Sequence, residues 1–117
     1  MTLQVVSPER LLVDERVDEV QVPGRSGYMG ILPGHAFLLS ELMAGGVLKY
    51  RTGGQQKVIA LYGGFVEVQP ELVRILADGA DRKEEINVEQ ARAELAKVDP
   101  SALDEMMKAQ AKLEAAM

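Results

Sequence analysis

From Leu3 to Ala77 the apolar positions fall in short β-branched runs, and beyond Asn87 they recur at helical spacing. The runs "LQVV", "RLLV", "VDEVQV", "VLKY", "KVIALY", "FVEVQ" and "LVRILA" are separated by turn signals at short, even intervals. These are Ser7-Pro8, Pro23-Gly24, Pro33-Gly34, Gly45-Gly46, Gly53-Gly54, Gly63-Gly64 and Gln69-Pro70. Many short strands in this rhythm predict an antiparallel sandwich or flattened barrel. The stretch from Arg51 to Gln55 joins two of the runs and reads as a hairpin loop, because glycine tolerates positive φ. Val20 and Val22 share one face with Glu19 and Gln21 opposite, as in a half-buried strand. In "KVIALY" both parities are apolar. That strand is either covered on both sides or presents its outer face to another chain.

The last third predicts two helices. Asn87 with Gln90 makes a capping box, and Val88, Ala91, Leu95 and Val98 form one narrow stripe. The first helix should end at Val98, since Pro100 disfavours the α conformation of the residue before it. Asp99 as N-cap and Pro100 as first helical residue then open the second. Its expected stripe is Leu103, Met106, Met107, Gln110 and Leu113, with Asp104 paired to Lys108 outside. Neither helix is long enough to stand alone in water, so the pair must dock on something. The expected fold is therefore mainly β plus α, an N-terminal β-sandwich or flattened barrel of short antiparallel strands followed by a C-terminal antiparallel α-helical hairpin. The polar stretch "DGADRKEE", Asp78–Glu85, marks the division, giving residues 1–84 and 85–117.

Composition sharpens this division. All eleven glycines lie at or before Gly79, and from Asp78 onward ten acidic residues face six basic ones. A formal charge of −5 argues against a nucleic-acid partner. The absence of cysteine leaves no disulfide framework and no thiolate metal site. No run approaches the roughly 20 apolar residues that cross a bilayer. "MTLQVVSPER" lacks the basic and apolar regions of a secretory signal, so a soluble chain is expected.

Candidate chemistry centres on His35, the single histidine, inside "GILPGHAFLL". A metal site would need further ligands, and the nearest carboxylate, Glu41, lies beyond an apolar run. A triad would require Ser26 or Ser40 to converge on it, and neither sits in a nucleophile elbow. A packed turn histidine, or one presented to a partner, remains. "GRSGYMG" lacks the Lys and Ser/Thr of a phosphate loop and reads as a flexible turn with its tip at Arg25-Ser26. Tyr28 and Met29 are then adaptable apolar residues at a loop edge.

The segment "VPGRSGYMGILPGHAFLLSEL", followed by a glycine pair and "VLKY", resembles the epsilon-subunit family of the F-type, proton-translocating ATP synthase. The likeness extends through "LQVVSPERLLV", "LYGGFVEVQPELVRILAD" and "INVEQARAELAK", nearly the whole chain. It implies a non-catalytic central-stalk rotor subunit, peripheral at the cytoplasmic face of the energy-transducing membrane, reaching the bilayer only through the c ring. The implied partners are the gamma subunit and the c-subunit ring, with the alpha and beta subunits reached through the hairpin. By this resemblance Ser26, Gly27, Tyr28, Met29 and Gly30 would meet the c ring. Pro33, Gly34, His35 and Ala36 would belong to the gamma-facing surface. Tyr28 stands where Glu or Gln is common in the family, and Phe37 replaces a usual proline. No metal or cofactor is implied, but some members fold the hairpin down on ATP through a motif that Val88–Ala93 approaches. Glu89 and Arg92 are its candidate nucleotide-binding residues here. The second helix is shorter than is common and lacks a dense basic run, so weak inhibition of ATP hydrolysis is expected. A nucleotide-sensing module and a small jelly-roll enzyme using His35 are the competing readings.

Overall fold

The computed structural model describes residues 1–117. Alternation in the first 82 residues produces ten strands in two five-stranded sheets. These are β1 Thr2–Val6, β2 Leu11–Arg16, β3 Glu19–Gly24, β4 Gly27–Ile31, β5 Leu38–Glu41, β6 Gly46–Thr52, β7 Gln55–Leu61, β8 Gly64–Gln69, β9 Leu72–Ala77 and β10 Ala80–Arg82. The first sheet runs β2-β1-β9-β8-β5 and the second β10-β7-β6-β3-β4. All pairings are antiparallel except β1 with β9. Their inner faces enclose a core of 19 buried residues, with Leu3, Val5, Leu48, Leu61, Val66 and Ile75 fully sequestered. The Thr52–Gln55 hairpin turn is present as predicted.

Three strands lie outside the predicted runs. β4 comes from the segment read as a flexible turn, β5 from the end of the His35 stretch, and β10 from the polar boundary. Each is an edge strand, three to five residues long, so it needs little apolar sequence of its own. Only Arg25 and Ser26 remain as turn.

A 3₁₀ turn, Lys83–Glu85, leads into α1 Val88–Lys97 and α2 Leu103–Ala116. Asn87 caps α1 by accepting from the Gln90 N–H at 3.0 Å, and Val98 ends it, both as predicted. The start of α2 differs. Asp99 instead accepts from the backbone N–H and hydroxyl of Ser101, both at 2.9 Å, which pulls its carboxyl below the usual range. These bonds stabilise a separate turn, and helix begins only after Ala102. The buried stripe differs too: Ala109, Ala111 and Ala115 face inward, Leu103 and Gln110 are exposed, and Lys108 pairs with Glu105 rather than Asp104.

The hairpin lies on the outer face of the second sheet. Val47 and Ala60 meet Ala111 and Ala115 there, flanked by Val58, Tyr62 and Ile86. This resolves the double apolar face of "KVIALY": Ile59 and Leu61 enter the main core, while Val58 and Ala60 lie beneath the helices. Alanine is required because the approach is close. A Cβ on Gly45 would come within 2.4 Å of the Met107 backbone.

Candidate docking surfaces

The residues from Ser26 to Ala36 do not form one rim. The turn Arg25–Ser26 closes β3 and β4 at one end of the sandwich, where Gly24 bridges to Leu42 and Arg25 pairs with Glu41 at 2.6 Å. The loop Leu32–Phe37 emerges at the opposite end of β4, about 16 Å away for five extended residues. There the Gly34 N–H donates to the Pro70 carbonyl at 2.8 Å, tying the loop to the β8–β9 turn. Gly34 adopts φ +86°, the left-handed region that lets a residue after proline fold back without a side-chain clash.

Within that loop Pro33, Gly34 and Ala36 are exposed, and His35 is half-buried. His35 Nδ1 lies 2.7 Å from the Ala36 carbonyl oxygen, which fixes Nδ1 as the donor. No serine or carboxylate is bonded to its ring, and no group of three acidic or histidine side chains converges to hold a metal anywhere in the chain.

Ser26 and Gly30 are exposed at the turn and along β4. Met29, predicted to be an adaptable edge residue, instead turns inward and packs on the main core. Strand alternation opposite Val22 puts it there. Tyr28 projects outward, 45% exposed, but its hydroxyl accepts from the Val47 N–H at 3.2 Å. The cause lies in Pro23, which offers no N–H and whose carbonyl is taken by Met43. The β3–β6 ladder therefore stops at Gln21, and Tyr28 reaches over β3 to serve the orphaned donor.

Glu89 and Arg92 are 87% and 59% exposed at the side chain and pair only with each other, at 3.8 Å. Neither lines the cleft of about 500 Å³ between hairpin and sandwich. That cleft carries Asp78, Asp81, Glu94 and Glu105 against Lys108 and Lys112. The Tyr62 hydroxyl at its wall donates to Asp81 at 2.7 Å. Burial, and then this bond, push the phenol well above its usual range. An acid-rich cleft with its two lysines offset by four carboxylates does not fit a polyphosphate.

A further apolar surface was not singled out in the sequence. On the outer face of the first sheet, Leu11, Val6, Leu76 and Phe65 lie side by side across β2, β1, β9 and β8. Leu11, Leu76 and Phe65 are 54%, 48% and 49% exposed, and Leu39 on β5 is 65% exposed. An adjoining row is polar: Arg74 donates to Gln4 at 3.2 Å and to Glu67 at 3.0 Å. The signal was available, because Leu72 and Leu76 occupy the outward parity of "LVRILA" and Phe65 that of "FVEVQ". Nothing covers this face, whereas the second sheet has its hairpin.

The sandwich thus presents one bare apolar face, carries a small helical hairpin on the other and holds an isolated histidine at a loop. Residues 1–83 match the family described as ATP synthase, Delta/Epsilon chain, beta-sandwich domain. The chain is 49% identical over 104 residues to the ATP synthase epsilon chain of Solibacter usitatus, covering 89% of itself and 77% of that protein. It is 48% identical over 94 residues to that of Koribacter versatilis, covering 80% of itself and 64% of that protein. A chain in the Euglena gracilis mitochondrial ATP synthase, in an OSCP/F1/c-ring structure, superimposes with a TM-score of 0.71 at 25% identity. That match covers 97% of this chain and 76% of the other. A chain in the Tetrahymena thermophila central stalk and c-ring structure shares the fold, with a TM-score of 0.73 at 14% identity over 100% and 96% of the two chains. The chain belongs to the ATP synthase epsilon-chain family. No helix is long and apolar enough to cross a membrane.

Proposed function

We propose that this chain is a non-catalytic rotor subunit that couples c-ring rotation to the gamma subunit, with residues 1–84 as the coupling body and 85–117 as a regulatory piece. The observation that carries this reading is the bare outer face of the first sheet, with Phe65, Leu76, Leu11 and Leu39 held exposed on a rigid sandwich. Burying such a patch is favourable at roughly 25 cal/mol per Å². A permanent seat for gamma is the use that fits a stalk subunit. The Arg25–Ser26 turn and the Pro33–Ala36 loop with His35 are then separate contacts at the two ends of β4, with exposed Gly30 on the strand between them. We assign the turn to the c ring and the loop to the margin of the gamma contact.

Torque transfer asks for stiffness, and close packing across two sheets supplies it. No step of bond-making is assigned to the chain, and no cofactor or metal. ATP is not assigned as a ligand either: Glu89 and Arg92 serve as solvated helix charges, since they satisfy each other away from the cleft. Location follows from the partners, peripheral at the cytoplasmic side with indirect membrane contact. The test is reconstitution. Added to a synthase depleted of its own epsilon subunit, the chain should restore proton-driven ATP synthesis; assembly without coupling would refute the reading.

A further inference from the structure

We infer that the free edge of β4 pairs with the same edge of a second copy of this chain, the Tyr28 of each copy lying over the Gly30 of the other. This goes beyond the coupling role and concerns the chain outside its complex. It is tested on the isolated chain, so its failure leaves the coupling reading standing.

The two sheets end in four edge strands, β2, β5, β10 and β4. An unpaired edge is a template for another strand, and folded chains close such edges with charged side chains or covering groups. Three of the four are closed here. On β2 the Arg82 guanidinium donates to the Leu12 carbonyl at 2.6 Å, and the Thr52 hydroxyl donates to the Arg16 carbonyl at 2.9 Å. On β10 Arg10 donates to the Ala80 carbonyl at 3.3 Å, and Glu85 accepts from the Arg82 N–H at 2.8 Å. On β5 the Glu41 carbonyl accepts from the Arg25 N–H at 2.9 Å.

β4 has no such cover. Its neighbour β3 contains Pro23, which has no N–H and gives its carbonyl to Met43. Bonded residues alternate along an antiparallel ladder, so Gly24–Gly27 and Val22–Met29 are the pairs that exchange bonds between β3 and β4. The N–H and carbonyl groups of Tyr28 and Gly30 therefore point to the free edge, and no loop hydrogen bond reaches them. From Ser26 to His35 no side chain carries a formal charge at neutral pH. Tyr28 and Gly30 are both exposed, and a Cβ on Gly30 would meet nothing within 4 Å. The edge thus presents a ring and a hole two residues apart. When two such edges run antiparallel about Met29, Tyr28 of each copy faces Gly30 of the other, so each free N–H meets a carbonyl and each ring covers a glycine. An aromatic side chain placed across an edge glycine in this way stabilises the pairing. A foreign strand would find the same backbone groups, but an identical edge brings a ring to each hole. Five residues make a contact far smaller than the interface of a stable dimer, so the pairing is weak and depends on concentration.

Sedimentation equilibrium of the full chain from about 0.01 to about 1 mM should show the weight-average mass rising from 12.8 kDa toward twice that of one chain. Over the same range amide exchange at Tyr28 and Gly30 should slow at least about threefold, while that of Met29, already bonded to β3, stays as it was. Gly30→Lys fills the hole and sets a cation at the seam, and open space around the added Cβ spares the fold. It should weaken association at least about tenfold, whereas Gln56→Lys, the same charge gain on exposed β7, should leave association unchanged. A mass that stays at one chain throughout overturns the inference. So does association that survives Gly30→Lys, that falls equally in Gln56→Lys, or that leaves the Tyr28 and Gly30 amides exchanging as freely as before.

Discussion

Two apolar assemblies hold this molecule, and they differ in kind. The sandwich core joins 19 buried residues, chiefly Val, Leu and Ile, many with no exposed surface. The hairpin seat joins four, three of them alanine. A buried Leu or Ile is worth about two to four times an alanine methyl, which contributes about 0.8 kcal/mol. Stability is therefore concentrated in the sandwich, and the hairpin rests on it as a light, separable piece. In the proposed coupling role, a stiff body bearing a lightly held hairpin is the useful arrangement.

The strongest blow to the comparison is struck in the core. Ile75→Ala should destabilise the whole molecule by about 3 kcal/mol through lost burial and a residual cavity, read from the urea midpoint. A mutant that instead lost only the hairpin would break the distinction. Gly45→Ala sharpens it from the other side. The added methyl would lie 2.4 Å from the Met107 backbone, so α2 must lift. Helical circular dichroism should fall while the sandwich's urea midpoint moves by less than about 1 kcal/mol equivalent.

The smallest effect belongs to the Arg10–Glu85 pair, which ties the start of β2 to the 3₁₀ turn. Arg10, and then the Arg82 N–H, hold the Glu85 carboxyl at about 2, below the ordinary 4.5. A depressed carboxyl stabilises the fold fully above its unfolded value and ceases to do so as pH falls through its folded one. Arg10→Ala should thus lower thermal stability slightly at pH 7. The gap from the unaltered chain should hold down to about pH 4.5 and close by about pH 2. A gap that widened in acid would show that Glu85 is not the partner that matters.

Much of the architecture was legible because strand alternation and glycine turns are local. The core-facing parity of Val20 and Val22, the Asn87 cap and the stop at Val98 all follow from neighbouring residues. The misses were non-local. β4 and β10 exist because a neighbouring strand offers a ladder, and Met29 turned inward with the pleat that followed. The hairpin uses Ala109, Ala111 and Ala115 rather than Leu103 and Gln110, because Gly45 and Ala60 let the helix come close, which no helical period states. Of the candidate site, exposure of Ser26, Pro33, Gly34 and Ala36 was readable, but the separation of the turn from the loop at opposite ends of β4 was not. The apolar face around Phe65 needed the register of four strands before it became a surface.

That face decides the account. Phe65→Asp combined with Leu76→Asp places two carboxylates on an exposed surface, so folding should be unaffected by circular dichroism and urea unfolding. Calorimetric titration against purified gamma subunit should then show affinity at least about 100-fold weaker than that of the unaltered chain. A folded double variant that binds gamma as tightly as the original would contradict the proposal that the first sheet's bare face is the seat.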